Sequence, residues 1–296
     1  MEYLIDNIYV PGLNDGEKLY HYTNVSGFQG ICNGEFWVTE SSFLNDKTEL
    51  SIATEIFCKL VDKHVLNKNV CEELKKIVID HIKEQINYQN INNNIVKLDS
   101  SYILSFSLYD DNLSLWSQFT NNNGYCMSFD FKDLVSSFDE NANFISGKVI
   151  YDPIIQMEIL KKDIEQLFFD GKIFSNWEEF NNMTTEKIAD IYQALATSIS
   201  VYNLFFKLPC FKAENEFRFV FFRYNQINEY SFDQFFRIKD NLLIPYIKIK
   251  TSTLNSLKEV VIGPENNSDI AKLSVLRYFN NLDIKADVKL STVPIR

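Results

Sequence analysis

The sequence predicts an α+β fold: a mixed, largely antiparallel sheet with helices around it and one helical insertion. Short runs of β-branched and aromatic residues, separated by turns, outnumber clean strand–helix–strand repeats. The 25 Phe and 15 Tyr residues among 296 provide enough apolar surface for a large core. Only 9 Gly and 6 Pro are present and no stretch has the composition of a linker, which favours a single domain over residues 1–296.

The N-terminal part is predicted to contain two strands and three helices. In chain order we expect a strand at 19–23, a helix at 25–31, a strand at 36–39, a helix opened by 41–49 and a helix at 71–86. Asp46 and Glu49 fit a capping box, with an N-cap acceptor followed three residues later by an acid. Asn45 lies just outside that cap and is less easily explained by it.

The remaining elements follow from the same patterns. We expect strands at 101–107, 125–131, 144–151, 214–222, 242–250, 259–262 and 284–290, and short helices at 111–119 and 269–279. Between them, the pattern is helical from about 154 to 208 and ends before Pro209. This block is the predicted insertion, and it suits a partner surface, a lid or simple packing equally well.

The strand predicted at 214–222 combines charge with a core face. Because side chains alternate along a strand, Glu214, Glu216 and Arg218 share one face and the intervening phenylalanines share the other. Ionisable groups at the end of a buried strand are costly unless they pair with each other or bind something. The strand alone therefore indicates either a Glu–Arg pair that satisfies itself or a binding site.

Composition narrows the classes of partner and compartment. The net charge of −11 argues against a general duplex-binding surface, although a nucleotide ligand or a local basic groove stays open. Five scattered cysteines form no zinc-ligand spacing with the three histidines, so we expect no metal and a reducing, cytoplasmic compartment. The N-terminus has no signal-peptide pattern and no stretch reaches membrane-spanning length, so we expect no membrane partner.

Polar groups occur on or beside strands in four separated stretches. These are His21 with Thr23, Asn45 with Asp46 and Glu49, Ser105 with Ser107 and Trp116, and Glu214 with Glu216 and Arg218. Strand-end residues from distant parts of a chain commonly assemble a cleft. A single histidine there suits acid–base work, ligand binding or a satisfied core position, and the sequence leaves these three alternatives open.

Several short motifs occur in order along the chain: Tyr20-His21-Tyr22-Thr23, Phe36-Trp37-Val38-Thr39, Ser42-Phe43-Leu44-Asn45-Asp46 with Glu49, Ser105-Phe106-Ser107, Leu115-Trp116, Gly124-Tyr125-Cys126 with Phe129-Asp130, Glu214-Asn215-Glu216-Phe217-Arg218, Val261-Ile262-Gly263-Pro264 and the terminal Ser291, Pro294 and Arg296. Taken together, they resemble the bacterial family called domain of unknown function 2971. One departure is Lys47, where the family pattern has proline after Asn-Asp.

The layout is also similar to that of ADP-ribosyltransferases, which implies a split sheet and NAD as substrate. The resemblance makes Glu216, Glu214 and His21 catalytic and assigns NAD contacts to Tyr22, Thr23, Trp37, Asn45, Ser105, Ser107 and Arg218. It implies that His21 bonds a ribose hydroxyl, Trp37 or Tyr22 stacks on nicotinamide, Glu216 bonds the nicotinamide ribose and Glu214 orients an acceptor macromolecule. Arg218 either neutralises Glu216 or holds the diphosphate.

Three hypotheses for function follow. The first is an NAD-using ADP-ribosyltransferase or NAD glycohydrolase, in the manner of a bacterial toxin or phage-defence effector. The second is a non-catalytic module that binds a ligand or partner, with Glu216 and Arg218 as a structural pair. The third is a metal-dependent hydrolase built on Asp46, Glu49 and Glu216.

Overall fold

The computed structural model describes most of the chain in two compact units. The described residues are 8–14, 16–44, 50–62, 80, 101–140, 142–165, 196–223, 232–239, 241–266 and 268–294. The sheet unit comprises Gly12–Leu44, Asp99–Lys148 and Phe211–Arg296. The helical unit comprises Met1–Pro11, Asn45–Leu98 and Val149–Cys210. Each unit is considered by itself.

The described elements mix strands and helices along the chain. The strands are β1 (Leu19–Thr23), β2 (Glu35–Glu40), β3 (Ser101–Ser107), β4 (Tyr125–Phe129), β5 (Phe144–Lys148), β6 (Glu216–Phe222), β7 (Gln234–Lys239), β8 (Leu242–Lys250), β9 (Leu257–Ile262) and β10 (Asp287–Leu290). The helices are α1 (Val25–Cys32), α2 (Ile52–Asp62), α3 (Leu113–Thr120), α4 (Phe131–Ser137), α5 (Pro153–Glu165) and α6 (Asp269–Leu282). Short 3-10 turns lie at Ser41–Phe43, Pro209–Glu214 and Pro264–Asn266.

The sheet unit holds one mixed sheet in the order β10-β9-β4-β1-β3-β2-β8-β7, with β6 added on β3 and β5 added on β6. Among the described strands, β9 and β10 pair in parallel and the other pairs are antiparallel. The predicted α+β class with a largely antiparallel sheet is therefore confirmed.

The core of the sheet unit is built on the full-length pairing of β3 with β6. Phe106 lies opposite Phe217 and Leu104 lies opposite Phe219, and all four side chains are buried. The ring of Phe219 lies 5.4 Å, centroid to centroid, from that of Phe138, which follows α4. Glu216 and Arg218 lie at the alternate positions and face the other side of the sheet, as predicted for these two residues.

The second edge of β3 is shared by two strands. Ser107 pairs with Tyr20 of β1, whereas Ile103 pairs with Thr39 of β2. Between these two pairings, β1 and β2 separate along β3. The sheet is thus divided opposite the middle of β3, and this division positions the candidate site.

The helical unit contains α2, α5 and a helical stretch over residues 196–205. The side-chain oxygen of Asn203 accepts a hydrogen bond of 2.8 Å from the backbone N–H of Ala53, in the first turn of α2. A capping bond of this kind satisfies a donor that a helix N-terminus leaves without an intrahelical partner. Part of the predicted 154–208 insertion is helical, and residues 166–195 lie outside the described residues, as do Asp46 and Glu49.

Several predicted elements differ from the structure. The strands expected at 144–151 and 284–290 are shorter and cover Phe144–Lys148 and Asp287–Leu290. The strand expected at 214–222 begins only at Glu216, because Asn215 adopts a left-handed conformation with φ of 42° and Glu214 belongs to the preceding 3-10 turn. The chain from Phe131 to Ser137, expected to start as a continuation of a strand, is the helix α4. Asp130 begins it by accepting from the backbone N–H of Asp133. Strand β7 has no counterpart among the predicted elements.

Gly124, which precedes β4, has no room for a side chain. A Cβ at this position would lie 2.4 Å from the carbonyl oxygen of Thr23 and 2.8 Å from Cβ of Thr120. We expect Gly124→Ala to lower the free energy of unfolding by about 1–3 kcal/mol, because backbone must move to accommodate the methyl group. Urea denaturation followed by circular dichroism measures this change.

Gly12→Ala is the control, since no atom lies within 4 Å of the added Cβ. We expect its free energy of unfolding to stay level or rise by up to about 1 kcal/mol. Equal losses for the two variants would contradict the steric explanation.

Candidate functional site

A cleft of about 440 Å³ lies in the sheet unit where β1 and β2 separate along β3. Most of the predicted site residues line it: His21, Tyr22, Thr23, Trp37, Ser105, Ser107, Glu214 and Glu216. Arg218 is not among the lining residues, and Asn45 lies outside the described residues. Three of the four polar stretches therefore meet in one place.

Glu216 and Arg218 form a buried ion pair beside this cleft. Nε of Arg218 donates to Oε1 of Glu216 at 2.8 Å, and a terminal guanidinium nitrogen donates to Oε2 at 2.8 Å. The two residues are only 7% and 1% exposed, respectively. A bidentate guanidinium–carboxylate pair compensates both charges where water cannot. Of the two roles predicted for Arg218, this contact corresponds to neutralising Glu216.

Glu214 reaches the cleft from the 3-10 turn rather than from the strand. Its Oε1 accepts a hydrogen bond of 2.7 Å from Nε2 of Gln118 on α3. Its carbonyl oxygen accepts a bond of 2.7 Å from the hydroxyl of Ser107, which is in turn bonded to the backbone N–H of Tyr109. The turn is thereby fastened to the end of β3, and Glu214 is held on the same side of the sheet as Glu216.

His21 occupies the gap between β1 and the middle of β3. Its Nδ1 lies 2.9 Å from the carbonyl oxygen of Ser105, so Nδ1 carries the proton and donates. Burial, with a smaller contribution from the positive charge of Arg237, lowers the pKa of His21 to about 4 against the opposing effect of the Ser105 bond. At neutral pH the ring is therefore uncharged, and Nε2 is a hydrogen-bond acceptor.

Tyr22 and Trp37 line the cleft in different ways. The Tyr22 hydroxyl donates to the carbonyl of Tyr109 and accepts from the N–H of Asn112, and burial raises its pKa. The Trp37 ring centroid lies 5.6 Å from that of Tyr246 on β8. Within the described residues, the buried Nε1 of Trp37 has no hydrogen-bond partner. The stacking role assigned to either ring stays a prediction.

The structure adds one cleft-lining residue and two residues that contact the cleft lining, none of which the sequence indicated. Arg237 of β7 lines the cleft and donates from a terminal nitrogen to the hydroxyl of Thr39 at 2.6 Å. Gln118 positions Glu214, and Tyr246 packs against Trp37. The sequence feature that could have indicated Arg237 as a site residue is its position as a cation inside the apolar run Phe-Phe-Arg-Ile.

Asp111 connects the cleft-lining helix α3 to the end of β10. Its carboxylate accepts from Nε1 of Trp116 at 2.9 Å, from the hydroxyl of Ser291 at 2.5 Å and from both the N–H and the hydroxyl of Thr292 at 2.7 Å. These hydrogen bonds hold the pKa of Asp111 below its usual value although burial acts to raise it. The C-terminal segment is thereby fixed to the helix that carries Gln118.

A family model described as a protein of unknown function (DUF2971) matches residues 115–219. The DUF2971 resemblance is confirmed over that segment. Searches of curated proteins and of solved structures returned no match. The DUF2971 segment includes Gln118, Glu214, Glu216 and Arg218, whereas His21 and the other β1 and β2 residues of the cleft lie outside it.

Neither a membrane-spanning helix nor a metal-binding cluster occurs in the described part of the chain. No helix there is both long enough and apolar enough to cross a membrane. No group of three or more His, Cys, Asp or Glu side chains there is arranged to hold a metal ion. Of the three residues proposed for a metal-dependent hydrolase, Asp46 and Glu49 lie outside the described residues.

Removing Arg218 should destabilise the protein strongly. We expect Arg218→Met to lower the free energy of unfolding by about 3–5 kcal/mol, because Glu216 is left as a buried charge without its guanidinium. Urea denaturation at pH 7 measures the loss. Lys258→Met is the control, since the Lys258–Asp133 pair is exposed and should contribute less than about 1 kcal/mol. Similar losses in both variants would show that burial does not govern the strength of these pairs.

The lowered pKa of His21 predicts a pH-dependent stability. The unfolded state takes up the proton near pH 6.5 and the folded state only near pH 4, so stability from the neutral ring is lost as pH falls between those values. We expect wild type to lose up to about 2 kcal/mol more than His21→Asn between pH 7 and pH 4.5. Parallel urea titrations at the two pH values measure it, and identical losses would place His21 in a water-like environment.

Proposed function

We propose that the cleft of the sheet unit binds NAD and that the protein cleaves the nicotinamide–ribose bond, as an ADP-ribosyltransferase or an NAD glycohydrolase. The observation that carries this proposal is the convergence of His21, Glu214 and Glu216 on one cleft at the division of the sheet. Carboxylates and a neutral imidazole are the groups that would hydrogen-bond ribose hydroxyls. The aromatic ring of Trp37 lines the same cleft and offers a surface for nicotinamide.

The reaction needs negative charge near the ribose. The bond between C1 of the ribose and the ring nitrogen of nicotinamide breaks, and its electron pair leaves with nicotinamide. C1 then has oxocarbenium character, which a nearby carboxylate stabilises. Water or an acceptor side chain forms the new bond to C1 and loses one proton, which a carboxylate takes up as general base.

The two carboxylates differ in their surroundings, which supports different roles. Glu216 is held by Arg218 in one orientation, as a group that bonds a ribose hydroxyl must be. Glu214 accepts a hydrogen bond through Oε1 from the neutral amide of Gln118. We therefore assign ribose binding to Glu216 and orientation of the acceptor or water to Glu214.

His21 would contribute binding rather than proton transfer. With Nδ1 committed to the carbonyl of Ser105, Nε2 is available to accept a bond from a ribose hydroxyl. A group with a pKa of about 4 stays neutral at physiological pH, so this acceptor does not depend on small changes in acidity.

A second candidate function is a non-catalytic module that binds a ligand or partner. The closed Glu216–Arg218 pair favours it, because a carboxylate already satisfied by a guanidinium is less available to a substrate. In that case the cleft binds its ligand without altering it chemically. The two functions differ in whether NAD is consumed.

NAD consumption by purified protein tests the proposal directly. We expect wild type to release nicotinamide, measured by HPLC, and Glu216→Gln to be slower by about 100-fold or more, because a charge that stabilises the transition state is lost. Glu214→Gln should reduce the transfer step in the same assay. Glu17→Gln, which removes a carboxylate from an ion pair with Lys148 away from the cleft, should match wild type.

Thermal melts of all four proteins with and without NAD separate the two candidate functions. Release of nicotinamide by wild type but not by Glu216→Gln supports cleavage. A higher melting temperature with NAD but no release supports the binding module. If wild type does not release nicotinamide and its melting temperature does not change with NAD, then NAD is excluded as the ligand of this cleft.

A further inference from the structure

Arg237 has an unusual position for a cation in the described part of the sheet unit. It lies on β7, where a terminal nitrogen donates to the hydroxyl of Thr39 at 2.6 Å. Its Nε is buried and has no hydrogen-bond partner among the described residues. The guanidinium carbon lies 5.7 Å from the ring centroid of Tyr246, a distance at which a cation is attracted to an aromatic face.

No carboxylate of the described residues forms an ion pair with Arg237. Burial lowers its pKa, and a buried guanidinium is costly unless an anion compensates it. Arg218 shows the contrast, because both of its bonds to Glu216 satisfy its charge within the chain. Among the described residues, Arg218 is therefore compensated by a carboxylate of its own strand, whereas Arg237, which lines the cleft, forms no such pair.

The positive charge of Arg237 acts on other residues that line the cleft. Arg237 lines the same cavity as His21, and its positive charge is one of the causes that lower the pKa of that histidine. An anion bound at Arg237 would therefore lie in the same cavity as the groups proposed to contact ribose. Lys248, a cation of β8, forms a 2.8 Å pair with Glu35 and is already compensated.

One aromatic ring, that of Tyr246, lies beside the Arg237 guanidinium, and it contacts two further rings. The ring centroid of Tyr246 lies 5.6 Å from that of Trp37 and 5.7 Å from that of Phe235. A planar guanidinium offers parallel N–H donors that match the oxygens of a phosphate, and aromatic rings beside it suit a base. The combination fits a nucleotide better than it fits a simple carboxylate.

We propose that Arg237, oriented by Thr39, is the subsite for the diphosphate of a nucleotide bound in the cleft. This inference rests on the proposed binding of NAD to that cleft, and it names the residue that holds the phosphate groups. It also assigns to Arg237 the diphosphate role that the sequence left open for Arg218.

Binding of unreactive ligands tests the subsite separately from catalysis. Isothermal titration calorimetry with ADP, adenosine and inorganic pyrophosphate should show that ADP binds wild type and that pyrophosphate competes with it. We expect Arg237→Met to weaken ADP binding at least tenfold, and Arg237→Lys to weaken it less, since lysine keeps the charge but not the fork. Adenosine should bind wild type and Arg237→Met with the same affinity.

Two further variants complete the experiment. Arg223→Met removes a part-buried arginine that donates to the carbonyl of Phe232 and does not line the cleft, so it should bind ADP like wild type. Thr39→Val removes the hydroxyl that orients Arg237 while keeping the side-chain shape, and should weaken ADP binding by a few-fold. If Arg237→Met does not fold, Arg237→Lys and Thr39→Val carry the same comparison.

The outcomes separate this subsite from the proposed function. Equal ADP affinity in wild type and in the Arg237 and Thr39 variants, or no binding of either ADP or pyrophosphate, overturns the subsite even if NAD is consumed. ADP binding that depends on Arg237, in a protein that does not consume NAD, supports the subsite and removes the proposed cleavage reaction.

Discussion

At each position, one edge of a strand can form backbone hydrogen bonds with only one neighbouring strand. The architecture of the sheet unit follows from which strands pair with the two edges of β3. One edge is given entirely to β6, from Ser101 to Ser107. The other is divided between β1 and β2, which leaves part of it open. Buried backbone groups need partners, and here the side chain of His21 bonds the carbonyl of Ser105 in place of a neighbouring strand. The cleft therefore lies where the backbone pairing of β3 is interrupted and a side chain satisfies a backbone carbonyl instead.

Whether an arginine of the sheet unit is neutralised depends on the side chains that lie beside it, on its own strand or on a neighbouring one. Arg218 finds a carboxylate two residues away on its own strand, so it is compensated within β6. Arg237 meets a hydroxyl and an aromatic ring instead. The two arginines have the same chemistry and different surroundings, because Arg218 forms a local ion pair whereas Arg237 lines the cleft without one among the described residues. The cleft is therefore lined by two carboxylates, Glu214 and Glu216, and by the side chain of Arg237.

Local patterns predicted much of the fold, and contacts between distant segments account for the rest. The bounds of β1, β3 and β8 match the prediction, because alternating or continuous apolar runs end at clear turns. Strand β7 was missed because apolar residues occupy both of its faces, so it shows no alternation. Glu214 was placed on β6 because a left-handed residue such as Asn215 interrupts a strand without changing its pattern. Arg237 depends on Thr39, 198 residues away, and no spacing in the sequence encodes such a contact.

The hydrogen bonds of Asp111 mean that the cleft is completed later in folding than most of the sheet. Ser291 and Thr292 bond a carboxylate 180 and 181 residues earlier in the chain, and the same carboxylate fixes Trp116 at the start of α3. While the ribosome is still synthesising the region before Ser291, Asp111 lacks these partners. The helix that presents Gln118 to Glu214 is then anchored less firmly. A nascent chain can thus form most of its sheet before its cleft is complete, and it acquires the finished site only after Thr292 has been synthesised.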